Sequence, residues 1–288
     1  MSIKSQFSQA VGLGVALLFL VACGTPQSAP TSTPIPQAPT ATSAPAPTTT
    51  LTVAAAEPVE EWDYVAMGYD PMYGYAENFA AQIETDLGVK VTVHDLHVRG
   101  LTSSSLVTRL RQNQMLRELI SGAKVVTFEI PVPFVIPVTG SEELYTSFLD
   151  GTCGGPDNQD CLREALMLYE EDVDAIFAEL LALRSPSDAI IRAGDCWLTS
   201  RLSKAWQEQG IYEVLKSYWE AANEYTAQAA ADHNIPAARV YLAMNGPNGE
   251  EVPSEYVQSG SDGLFTNETG DAIIADAFRE LGYEPLAP

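Results

Sequence analysis

From residue 61 onward the chain alternates between two hydrophobic periods, and that alternation most constrains its fold. Asp63–Gly68 is a short apolar run, and Tyr75–Leu87 carries Phe79, Ile83 and Leu87 four apart before Gly88. Spacing of that kind makes one apolar helix face, and glycine stops the helix. Val89–Leu96 is rich in β-branched residues and reads as a second strand. Thr102 or Ser103 can cap the next helix through Leu106 and Leu110, a shorter one reaches Ile120, and Gly122 closes the unit. Lys124–Ile130 is the third strand. A long helix begins near Gln159, where Leu162, Leu166, Tyr169, Val173, Ile176, Leu180 and Leu183 keep one continuous face. Ala189–Ala193 reads as a fourth strand, Ile211 to Ala229 as a helix, Ala238–Met244 as a fifth strand and Glu268–Leu281 as the last helix. Asn267 is placed to cap that helix. Strands separated by helices pair in parallel through right-handed crossovers. The expected class is α/β, a three-layer α/β/α sandwich around about five parallel strands, in one domain over residues 61–288.

The residues before it have another character. Lys4 precedes an apolar run, Ala10 to Ala22, too short for a comfortable membrane span. Leu20-Val21-Ala22-Cys23 resembles a bacterial lipobox, which implies cleavage before Cys23 and a lipid on its thiol. Residues 1–22 are thus expected to be a lipoprotein signal peptide. Residues 23–60 are rich in Pro, Thr, Ser and Ala, with seven prolines between Pro26 and Pro47. No apolar period exists there, so this stretch is expected to be a tether. If extended, its ~34 residues after the cysteine reach up to about 100 Å. The expected location is the outer face of a bacterial membrane or the cell surface, with the membrane as a partner through Cys23.

Net charge is −23 for the whole chain, and loss of residues 1–22 removes Lys4 and no acid, giving −24. A field of that sign opposes nucleic acid and anionic head groups. Cys153 and Cys161 bracket a Gly-Gly-Pro-Asp-Asn turn and, in an exported protein, read as a short-loop disulfide. Cys196 has no sequence partner and reads as a buried small hydrophobe. His94 and His97 stand three apart, a spacing that points to opposite faces of a strand.

Ligands of open parallel sheets meet the C-terminal ends of the strands. The residues there are Gly68, Tyr69 and Asp70; His97, Arg99 and Gly100; Glu129 with Ile130-Pro131-Val132-Pro133-Phe134-Val135-Ile136-Pro137; Asp195; Asn245 and Gly246; and Asp262 before the last helix. At these positions, over nearly all of residues 62–283, the chain resembles the SGNH (GDSL-like) hydrolase family. That family has a Gly-Asp-Ser turn, a Gly after the second strand, Gly-x-Asn-Asp after the third, and Asp-x-x-His before the last helix. Val91-Thr92-Val93, Gly100-Leu101-Thr102-Ser103 and Thr269-Gly270-Asp271-Ala272-Ile273-Ile274-Ala275 share the family's look. The resemblance implies an esterase or acyl-hydrolase fold, with Gly100 as an oxyanion donor and Asp262 as the triad acid.

The chain departs from the pattern elsewhere. Asp70 falls on the nucleophile, Phe265 on the histidine, and Glu129-Ile130-Pro131-Val132-Pro133 replaces the Gly-x-Asn-Asp segment. A carboxylate is not the alkoxide nucleophile, a phenyl ring accepts no proton, and proline offers no N–H. Two readings follow. In the first, the fold is kept as a binding or accessory lipoprotein, with Phe265 and the apolar loop after Glu129 lining the old site for a protein or a small apolar or ester ligand. In the second, an enzyme works with a non-standard site. Asp70, Glu129, Asp195 and Asp262 would converge, with Arg99 as charge partner, for acid–base work or to hold a divalent cation such as Ca²⁺. No cofactor is expected, and a monomer is.

Overall fold

The computed structural model describes residues 59–69, 74–134, 142–261 and 263–286. The signal peptide, Cys23 and nearly all of the linker lie outside these residues, as do Asp70 and Asp262. Five parallel strands form one sheet in the order β2-β1-β3-β4-β5: β1 Glu61–Met67, β2 Lys90–Asp95, β3 Val125–Glu129, β4 Ile190–Gly194 and β5 Ala237–Ala238. This order has its switch point between β1 and β3, where a crevice opens outside the strand ends.

The strands are apolar on both faces because both are covered. Val65, Met67, Val126, Phe128 and Ile191 pack against helices α2 (Ser103–Gln112), α3 (Gln114–Gly122), α5 (Asp160–Leu183) and α7 (Tyr212–Asp232). Tyr64, Ala66, Val125 and Ile190 pack against α1 (Tyr75–Leu87) and α9 (Glu268–Arg279) on the other face. Helix ends follow their sequence signals. Gly88 closes α1 in the left-handed conformation, its N–H donating to the Glu84 carbonyl at 3.0 Å. Thr102 caps α2 in a reciprocal box with Ser105, and the Asn267 side chain accepts from the N–H groups of Thr269 and Gly270.

Two elements add to the expected set, α4 (Glu142–Leu149) and α6 (Ser200–Glu208), and one corrects it. Ala238–Met244 is not a strand. Pairing stops after Ala238, and Val240–Asn245 forms a short helix, α8. The cause is a buried cap: Asp195, at the end of β4, accepts the Tyr241 N–H at 2.7 Å and Arg239 Nε at 3.1 Å. That carboxylate satisfies a first-turn donor which a strand would have had to pair with another strand.

Cys153 and Cys161 are joined by a disulfide just before α5. Cys196 is a free, buried thiol lying 3.2 Å from the Ile130 carbonyl.

Candidate functional site

At the switch point the chain builds a polar network with a buried centre. Tyr64 and Tyr75 both reach the Thr127 hydroxyl, at 2.8 and 2.7 Å, and Tyr75 donates to Glu129 Oε1. Since the Tyr75 proton goes to the carboxylate, the Thr127 hydroxyl donates to Tyr75 and accepts from Tyr64. A one-directional chain of hydrogen bonds therefore ends on Glu129. The other carboxylate oxygen, Oε2, lies 2.9 Å from His97 Nε2, while His97 Nδ1 lies 2.6 Å from Asp95 Oδ1. Tyr64, Tyr75, Thr127 and Glu129 have no solvent contact.

An imidazole between two carboxylate oxygens satisfies both by carrying both protons. Burial opposes its charge, but Glu129 and the bond to Asp95 outweigh burial and lift the His97 pKa to about 9. Burial likewise opposes the charge on Asp95. Hydrogen bonds from the His97 ring and backbone N–H win there and hold the Asp95 carboxyl below its ordinary value. Burial beside Glu129 pushes the Tyr75 phenol well above its usual range. Gly68 makes room for this centre, since a Cβ there would come within 2.2 Å of Glu129 Oε2.

The predicted site residues are distributed unevenly around it. Glu129 is at the centre, but its partner is His97 and not Arg99, which is exposed. Gly100 sits in a left-handed turn (φ +71°) closed by the Leu101 N–H on the Val98 carbonyl at 3.3 Å. Asp195 lies one residue past Gly194, the register partner of Glu129, but does not converge on it. Its oxygens are occupied at the start of α8, and burial pushes its pKa up to about 6 against those bonds. Phe265 is half-buried; its carbonyl accepts from the Gln258 N–H at 2.9 Å. The positions of Asp70 and Asp262 lie outside the described residues, so their place in any convergence is not part of this geometry.

A cavity of about 350 Å³ opens beside the network. Tyr69 and Leu101 contribute from the ends of β1 and β2, Pro131, Val132 and Pro133 from the loop after β3, and Leu144 and Leu168 from α4 and α5. The described part of the apolar loop thus lines a cavity, as expected, with Ile130, Val132 and Phe134 buried. Phe265 is not among the residues that line this cavity. Among the described residues, no group of three or more His, Cys, Asp or Glu side chains could hold a metal ion.

Sequence reasoning placed His97 at a strand end and in a pair with His94, gave it no role, and missed Tyr75, Thr127 and Asp95. One signal was present: Asp95 and His97 are two apart at a strand end, a spacing that places side chains on one face. His94 instead lies at 2.8 Å from Asp63 on the sheet edge.

No protein-family model matches the chain, and no curated protein does. Solved structures do. A lipase from a goat rumen metagenome is 14% identical with a TM-score of 0.57, over 78% of this chain and all of that one. A lipase/acylhydrolase from Enterococcus faecalis is 14% identical with a TM-score of 0.51, over 79% of this chain and all of that one. An acetylxylan esterase from Geobacillus stearothermophilus is 14% identical with a TM-score of 0.50, over 78% and 96%. Likeness at this identity concerns architecture, and on architecture the parallel sheet, its strand order and these neighbours agree: the chain has the SGNH (GDSL-like) hydrolase fold.

Proposed function

We propose that this domain is a non-catalytic binding or accessory module, carried on a stalk that is anchored by a lipid on Cys23. One observation carries the reading. The chain has three histidines, and the contacts seen for each among the described residues are with carboxylates or aromatic rings. His97 is clamped between Asp95 and Glu129 and holds its second proton up to about pH 9, so it is no general base near neutrality. His94 faces Asp63 at the sheet edge, and His233 stacks on Phe177 with ring centroids 5.4 Å apart, behind α5. By the family resemblance, Phe265 falls on the position of the base of an acyl hydrolase. The cavity, small and mostly apolar, is suited to a small ligand.

The competing reading, a hydrolase that works with carboxylates, needs free carboxyl oxygens. Those of Glu129 are taken by Tyr75 and His97, and those of Asp195 by Arg239 and Tyr241. Lipases and esterases among the structural neighbours share the fold with both readings and favour neither.

The test is direct. The purified protein should not react with a fluorophosphonate probe and should hydrolyse p-nitrophenyl acetate and butyrate no faster than buffer. Turnover that disappears in Asp70→Ala or Asp262→Ala would overturn the reading.

A further inference from the structure

We propose that the cavity beside β1 and β3 takes an amphipathic cation, an ammonium group on an apolar body. The assignment rests on the binding-module reading above and names its ligand class. Leucine, valine, proline and alanine side chains make up half of the lining residues, and the rings of Tyr69 and Tyr169 extend this apolar wall. Aromatic walls of this kind tolerate a cation as well as an alkyl chain. Glu171 and Asp172, consecutive on α5, bring two carboxylates to the same cavity. The remaining polar lining is the neutral hydroxyls of Thr102, Ser103 and Ser104, and no Lys, Arg or His is among the lining residues.

Asp172 sets the sign of the ligand. Its Oδ2 accepts from the Ser103 hydroxyl at 2.6 Å, at the N-terminus of α2. The carboxylate thus lies beside the positive end of that helix, where it repels a second anion. A fatty-acid carboxylate entering the cavity would meet Asp172 and Glu171 instead of a free donor set. Neither carboxylate has an ion-pair partner among the described residues. Residues 70–73, 135–141, 262 and 287–288 contain no Lys, Arg or His to supply one. Asp172 is half-buried, so an ammonium beside it meets less solvent screening than on an open surface. The chain's charge of −23 concentrates cations around it.

Titration calorimetry of the full-length chain with octyltrimethylammonium, octan-1-ol and octanoate, below micelle formation, tests the assignment. The ammonium should bind at one site, at least about tenfold tighter than the alcohol, with octanoate weakest. Asp172→Asn keeps an acceptor for Ser103 and should weaken only the ammonium, as should Glu171→Gln at its exposed position. Ala165→Trp, which puts an indole into the cavity, should remove binding of all three. The proposal is overturned if the alcohol or octanoate binds as tightly as the ammonium, if none binds, or if ammonium binding survives Ala165→Trp. The ligand comparison uses the unaltered protein, so a variant that fails to fold does not decide it. Ester hydrolysis is measured on the same preparation. An inert chain that ignores the ammonium defeats this assignment alone, whereas ester turnover defeats the binding-module reading beneath it.

Discussion

A carboxylate without solvent contact needs a charge or proton to balance it, and His97 supplies that for Glu129. Removing one partner of such a pair leaves the other buried and unpaired, which costs about 3–5 kcal/mol. His97→Ala should therefore lower the free energy of unfolding read from urea titration by that much, and Glu129→Gln should recover part of the loss in the double variant. The pH dependence has a definite sign. The folded protein holds the His97 proton to about pH 9, against 6.5 for a free imidazole, so it binds that proton more tightly than the unfolded chain. This contribution is complete below about pH 6.5 and is lost as pH rises through about 9. Urea melts from pH 6 to 10 should show stability falling across that interval in the natural chain and not in His97→Ala. A flat profile in both would mean that the imidazole between the two carboxylates is not charged. Nothing near His97 in sequence announces Glu129, 32 residues away, or Tyr75, whose phenol reaches the same carboxylate from the first turn of α1.

Local signals set most of the elements. Helices α1, α5, α7 and α9 each show a four-and-three apolar spacing, and two of their ends, Gly88 after α1 and Asn267 before α9, carry residues whose chemistry fits the place they occupy. Asn267 does more than cap. Its Oδ1 accepts from Thr269 and Gly270, while its Nδ2 donates to the carbonyls of Glu255 and Val257, tying α9 to the loop before it. Asn267→Ala should cost about 1–2 kcal/mol, at the upper end for a lost cap, read as a drop in the thermal midpoint. A change within about 0.3 kcal/mol would show that the cap is not needed to hold α9. Helix α8 shows where local reading stops. Ala238 to Met244 is a short apolar run, and such runs carry no decisive period. The choice fell to Asp195, 46 residues before Tyr241, whose carboxylate offers the Tyr241 N–H a helical cap.

At the scale of the molecule, the parallel order β2-β1-β3-β4-β5 places the ends of β1, β2 and β3 side by side, and with them Gly68, His97 and Glu129. Among the described residues no helix is long and apolar enough to cross a membrane. Under the proposed anchoring, attachment comes from Cys23 alone: labelled palmitate should enter the natural chain but not Cys23→Ser, and the variant should leave the membrane fraction. Equal membrane retention of both would refute the anchor. The sequence by itself determined the sandwich, because periods of two and near four are local and repeat along every element. It also carried the resemblance on which Asp70 and Phe265 are expected to fall at the serine and histidine positions, since a motif is read position by position. Only the tertiary structure decided what Glu129 and His97 do. Strand register and burial choose which distant polar groups must satisfy one another, and no spacing along the chain records that choice.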